Sequence, residues 1–216
     1  MTVNDSGSAA GQKMPEAITL AGQARLWLWH HALPAAQHLL LQADLNVALD
    51  WQQPRIQVFG RYHTVPRLTA WHGDAGIPYR YSGHQHVADG WPDVLKPVRD
   101  TVSELCGHPF NSVLANRYRN GKDCMGYHSD DEPELGPEPW IASYSLGAER
   151  DFVFRPRGGG RQCFSLALPD NSLLLMSPQV QQQFQHALPR RQRVQGERLN
   201  LTFRRIFSGI SPRTRN

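Results

Sequence analysis

The hydrophobic and polar positions of this chain change rhythm three times. After a small, polar opening (MTVNDSGSAAGQKMPEA), the segment LWLWHHALP is apolar, and AAQHLLLQADLNVAL repeats its apolar residues at helical spacing beyond Pro34. That pattern predicts a short strand feeding a helix. Residues 51–92 are rich in Gly, Pro, Trp, Tyr and His and keep no period for long. They predict short strands and ordered loops able to form a lid. Residues 93–106 set Val94, Val98, Val102 and Leu105 on one face of an amphipathic helix. From residue 110 onward, SVLANRY, WIASYSLG, DFVFR, CFSLALPD, SLLLM and RLNLTFRRIF alternate between turn residues. This is the signature of an antiparallel sandwich, jelly roll or small barrel. The run QVQQQFQ at 179–185 stands out only as a biased composition.

With 216 residues and 40% hydrophobic composition, the chain can bury a core, and a wholly disordered protein is excluded. The pattern reads as a flexible tail over 1–15 and a single domain over 16–216. Cys106, Cys124 and Cys163 form no C-x-x-C pair, so a reducing compartment is expected. No apolar run approaches the roughly 20 residues of a membrane span, and the N-terminus lacks a signal-peptide layout. The expectation is a soluble monomer of the cytoplasm, or of the nucleus in a eukaryote. Charge changes the picture further. Residues 150–216 hold 12 arginines against Asp151, Asp170 and Glu197, a net of +9, whereas the first 149 residues carry −5. Arginine suits planar recognition of carboxylate and phosphate, so an anionic partner, small or polymeric, stands beside the plainer reading of a solvated basic surface.

Two local patterns carry chemistry. In MGYHSDDEPE, His128 and Asp130 are two apart, and on a strand such residues share a face. With a distant second histidine, such as His186 in FQHALP, they would make the two-histidine, one-carboxylate triad that suits non-haem Fe(II). In RLNLTFR, Arg198, Asn200, Thr202 and Arg204 alternate with Leu199, Leu201 and Phe203. The apolar side fits a sandwich core. The other side points two guanidinium groups inward, which is costly without an anion; a dicarboxylate would pair with them bidentately.

The set Asn116-Arg-Tyr118, His128-Ser-Asp130-Asp-Glu132, His186 and Arg198-Leu-Asn200-Leu-Thr-Phe-Arg204 resembles the AlkB family of Fe(II)/2-oxoglutarate dioxygenases, which repair alkylated nucleic acid. The likeness continues through VFGRYHTVPR, GDAGIPYRYSG and ASYSLGAERDFVFR. It runs from about residue 56 to 207 and is closest to the eukaryotic DNA-repairing homologues. It implies a mainly β fold with flanking helices: a double-stranded β-helix (jelly-roll) core over about 110–210 and a nucleotide-recognition lid over about 50–95. It implies that His128, Asp130 and His186 hold Fe(II), with 2-oxoglutarate and O2 as co-substrates. Arg204 and Tyr118 would take the distal carboxylate of 2-oxoglutarate, and Asn116, Arg198 and Asn200 would complete its pocket. The reaction would hydroxylate an N-methyl group on a base, releasing formaldehyde, succinate and carbon dioxide. The base would be flipped from single- or double-stranded DNA, or from RNA.

For the base, the resemblance implies a sandwich between Tyr79 and His128, with Tyr81 and Ser82 nearby. Glu132 would accept from the exocyclic amine, and Asp131 would pair with Arg67 to brace the loop. Trp71 reads equally as a stacking or a core residue. Phe59, in Val58-Phe59-Gly60, is either a wedge that replaces the flipped base or a half-buried strand residue. Arg190, Arg191 and Arg193 would meet the phosphate backbone, and Arg155, Arg157 and Arg161 are a second such loop or a solvated turn. Rival readings are a dioxygenase acting on a protein side chain, a catalytically dead binding protein and a zinc hydrolase. The last has no use for the Arg198–Asn200–Arg204 face.

Overall fold

The computed structural model describes residues 14–58, 60–81 and 84–207. In chain order the elements are β1 (Glu16–Ala21), β2 (Ala24–Trp29), α1 (Ala35–Ala48), β3 (Arg55–Val58), β4 (Arg61–Thr64), β5 (Leu68–Gly73), β6 (Pro78–Tyr81), β7 (His84–Val87) and α2 (Lys96–Cys106). There follow β8 (Ser112–Tyr118), β9 (Met125–His128), β10 (Ile141–Gly147), β11 (Arg150–Pro156), β12 (Phe164–Leu168), β13 (Ser172–Met176), α3 (Pro178–Gln183), β14 (Phe184–Leu188) and β15 (Arg198–Arg204).

Two antiparallel sheets carry the fold, one in the order β1-β2-β13-β10-β15-β8-β5 and one in the order β12-β11-β14-β9. From β8 to β15 the chain shuttles between them. Strands β8, β10, β13 and β15 join the large sheet, and β9, β11, β12 and β14 the small one. This is the double-stranded β-helix. The central strands of the large sheet are buried along nearly their whole length because both of its faces are covered. On the outer face, Leu41 and Leu45 of α1 and Val98, Val102 and Cys106 of α2 pack with Val113, Ala115, Leu199, Leu201 and Phe203. Gly107, at φ 66°, closes α2, and His108 N–H bonds back to the Ser103 carbonyl. The inner face shares a second cluster with the small sheet, built from Ile141, Phe152, Phe154, Leu174, Met176 and Leu188.

Three expectations change. The first strand is a hairpin: β1 and β2 pair across a turn at Gly22, and β2 joins β13. The leucines and phenylalanine of β15 face the helix layer rather than the inter-sheet core, so the polar face of β15 is the one inside the sandwich. The proposed lid is divided, because β5 is the edge of the large sheet while β3–β4 and β6–β7 are separate hairpins. No helix among the described residues is long and apolar enough to cross a membrane. Residues 1–13 of the expected tail lie outside the described residues.

Candidate metal centre and anion pocket

Strands β9 and β14 pair in register at His128 and His186, whose ring centroids are 4.3 Å apart. The ladder thus fixes two imidazoles that are 58 residues apart in sequence. Strand β9 ends at His128, so Asp130 sits just beyond it, and alternation along a strand does not account for its position. Asp130 is nevertheless 2% exposed, and donor atoms from the three side chains lie within 4.8 Å of one another. The His128 Nδ1–H points at the Gly126 carbonyl, 2.9 Å away, which leaves Nε2 for a metal. Asp130 Oδ2 is buried without a hydrogen bond and stands 3.7 Å from His186 Nε2, too far to bond directly. A cation is the partner that this orphaned oxygen and two neutral imidazoles lack.

The charge states agree. Burial drives the His186 imidazole down to about 3, reinforced by His128 and Arg204; burial also lowers His128. Burial alone would raise the Asp130 carboxyl, but Arg204, His186 and His128 hold it far below the ordinary range. At neutral pH the group offers two lone pairs and one carboxylate.

Behind it lies a cavity lined by Asn116, Tyr118, Met125, Ser143, Phe152, Met176, Leu188 and the polar face of β15. Arg204 donates to Asp130 Oδ1 at 2.7 Å, so its charge is already matched. Arg198 is different. It is 2% exposed and donates to Ser145 Oγ at 2.9 Å. Its guanidinium carbon lies 5.5 Å from the Tyr118 ring centroid, and its Nε has no hydrogen bond. Among the described residues it has no ion pair. Burial lowers it to about 10, and buried Arg150 adds to that. A buried cation without a counter-charge is an anion site waiting for its ligand. Asn200 donates to Ser143 Oγ and the Tyr144 carbonyl, and Thr202 Oγ1 donates to Asn200 Oδ1. These bonds fix the Asn200 amide from both its ends. A histidine–carboxylate triad beside a buried, unmatched arginine fits iron with a chelating oxoacid.

A family model described as "2OG-Fe(II) oxygenase superfamily" matches residues 25–204. The chain belongs to that superfamily. Fe(II) is its metal, and 2-oxoglutarate and O2 are its co-substrates. Within the superfamily the chain falls in the AlkB family. It is 47% identical over 160 residues to DNA oxidative demethylase ALKBH2 of Mus musculus, covering 71% of this chain and 67% of that protein. Against ALKBH2 of Homo sapiens the figures are 46%, 71% and 61%. Identity to the human alpha-ketoglutarate-dependent dioxygenase alkB homolog 3 is 40% over 151 residues, 66% of this chain and 52% of that one. The chain therefore spans between half and two-thirds of the length of these relatives. The solved structure of OsALKBH1 superposes with a TM-score of 0.60 at 15% identity, covering 88% of this chain and 100% of that one, a likeness of fold. The family match begins at residue 25, well upstream of the motif likeness and within β2, which pairs with β13 in the large sheet.

The oxygenase site departs from the sequence reading at the base-facing side. Asp131 pairs with Arg157 rather than Arg67; Arg67 is buried and donates from Nε to Asn116 Oδ1 at 2.7 Å. Asn116 is therefore held by an arginine from β5's approach. Arg191 pairs with Asp151, which cancels much of its charge, while Arg190 and Arg193 are exposed. The 189–194 loop is bolted to the turn before β9. Gly121 N–H bonds to the Val194 carbonyl, Arg191 N–H bonds to the Gly121 carbonyl, and a Cβ on Gly121 would sit 1.8 Å from the Arg191 carbonyl oxygen. Arg155 lies over the Tyr127 ring at 4.1 Å and bonds Gln185. Desolvation, and then the Asp130 charge, push the Glu132 carboxyl upward. Trp71 is half-buried against the inner core cluster. Tyr79 and Tyr81 stand on β6 opposite His86 and His84. Phe59 and Ser82 lie outside the described residues. Sequence reasoning missed Ser143, Met176 and Phe152, whose ring is 5.1 Å from that of His186. Strand parity with Phe154 was the available signal.

Proposed function

We propose that this chain repairs N-alkylated bases in DNA, of the 1-methyladenine and 3-methylcytosine type, by oxidative demethylation. The observation that carries the chemistry is the buried, unmatched Arg198 beside the His128–Asp130–His186 group; the DNA substrate rests on the relatives' activities. His128, Asp130 and His186 would hold the iron. When bound, the metal supplies the oxidising chemistry that couples decarboxylation of 2-oxoglutarate to hydroxylation of the N-methyl group. Arg198 takes the distal carboxylate with help from Tyr118. That reverses the roles expected of the two arginines, since Arg204 is committed to steadying Asp130. Asn116 and Asn200, each locked by neighbours, shape the pocket between them. The apolar lining from Met125, Phe152, Met176 and Leu188 keeps bulk water from the reacting centre.

The lesion is flipped into the mouth, where Tyr79 and His128 sandwich it, Tyr81 and Ser82 flank it, and Glu132 meets its amino group. Phe59 acts as the wedge that replaces the flipped base. Residues 16–216 act as one domain and one monomer, in the compartment that holds the DNA. The test is an aerobic assay with Fe(II), 2-oxoglutarate and ascorbate on matched single- and double-stranded methylated oligonucleotides of DNA and RNA. Methyl-dependent formaldehyde release from DNA is expected, and His128→Ala or Asp130→Ala should abolish it while leaving the circular dichroism spectrum unchanged. Turnover restricted to RNA, or succinate formed without base repair, would refute the DNA reading.

A further inference from the structure

Two of the three metal-site side chains are fixed by the β9–β14 ladder, but Asp130 is not. Its backbone has left the strand, yet its carboxylate must keep one oxygen on Arg204 and the other facing the histidines. A buried amide outside a ladder needs some other acceptor. The Asp130 N–H donates to Gln181 Oε1 at 3.0 Å. Gln181 is 1% exposed and lies on α3, in the glutamine run that composition alone made look featureless. Every polar atom of its side chain is engaged, Nε2 reaching the sulfur of Met176 at 3.7 Å, and Met176 lines the co-substrate cavity. The Gln181 carbonyl accepts from Arg157 at 3.0 Å, the same arginine that pairs with Asp131. Ser129 is tied to the same region through the Phe184 carbonyl at 2.9 Å. The 129–131 segment is thus suspended from α3 and the start of β14.

We infer that Gln181 is a positioning residue for the metal. Its side-chain carbonyl sets the Asp130 backbone, and so the carboxylate, at the distance the two histidines require. Through its own backbone carbonyl it also anchors Arg157, and with it the Asp131 side of the mouth. The inference rests on His128, Asp130 and His186 being the metal ligands. Outer-shell contacts of this kind are typically worth about ten- to a hundredfold in metal affinity.

The test is a titration of the metal-stripped full chain with Mn(II), followed by electron paramagnetic resonance, with the d–d bands of the Co(II) form as a measure of coordination geometry. Gln181→Met keeps the side-chain length and removes the acceptor. It should weaken Mn(II) binding by about tenfold or more and alter the Co(II) bands, at a temperature where the metal-free variant is folded. Gln182→Met, next along the same helix and exposed, should bind as wild type. A purely structural role would lower the melting temperature and leave the Mn(II) dissociation constant unchanged, and that result overturns the inference. Should Gln181→Met fail to fold, Gln181→Asn withdraws the same acceptor by one methylene and is read by the same titration. Wild-type protein that binds no Mn(II) would overturn the ligand assignment and this inference together. Normal wild-type binding with an unaffected variant overturns this inference alone.

Discussion

At the residue scale, two arginines six positions apart on one strand face have different jobs. Arg204 is neutralised within the protein by Asp130, whereas Arg198 is buried beside Tyr118 with an unused donor. Alternation in RLNLTFR was enough to put both on the inner face. It could not say which was already paired, because that depends on a carboxylate 74 residues away. Arg198→Lys keeps the charge but loses the planar fork. It should raise KM for 2-oxoglutarate by roughly ten- to a hundredfold, equivalent to about 1.4–2.8 kcal/mol, with Mn(II) affinity unchanged. Arg204→Lys should disturb metal affinity as well. Steady-state kinetics and a metal titration on the two variants check this; identical profiles would refute the division of labour.

At the element scale, the basic loop after β14 is less free than its sequence suggests. Gly121 fits beneath the Arg191 carbonyl only because it has no side chain, and Arg150 adds hydrogen bonds to the Asp123 and Pro189 carbonyls. With Arg191 spent on Asp151, the exposed Arg190 and Arg193 are the ones the proposed function would have meet phosphate. The double change Arg190→Ala, Arg193→Ala should therefore flatten the plot of log binding constant against log salt by about 1.8 for duplex DNA; Arg191→Ala should flatten it by less. Fluorescence anisotropy at several salt concentrations decides the matter, and equal effects would mean that Arg191 leaves Asp151 on binding. The run Arg190-Arg-Gln-Arg193 was legible as a basic cluster. The ion pair that divides it was not, since Asp151 comes from a different strand.

At the scale of the whole molecule, the alternating segments after residue 110 were legible as a jelly roll because each strand needs its own inward and outward residues. Before β8, the strand leading to α1 and the helix α2 were legible, but the recruitment of β1, β2 and β5 to the large sheet was not, because long-range pairing leaves no local period. Buried charge also gives the assembled molecule an acid limit. His128 and His186 resist protonation in the folded state, and the unfolded chain takes up those protons below the ordinary histidine value of 6.5. Stability of the metal-free protein should fall as pH drops below that point, by up to about 1.4 kcal/mol per pH unit for each histidine. Asp130 adds to the loss once its unfolded carboxyl titrates near 3.8. Glu132, shifted upward, works in the opposite sense but is one group against two. Urea midpoints at pH 7.5 and pH 5.0 should differ in that direction, and Fe(II) or Mn(II) should widen the gap, since the metal needs the neutral rings.

The shuttling of the chain between sheets has a consequence for biosynthesis. The ligands come from β9, the turn just beyond it and β14, and their supports from α3 and β15, so the complete site, Arg204 included, exists only once synthesis has passed residue 204. A metal site completed that late depends on both sheets being in place.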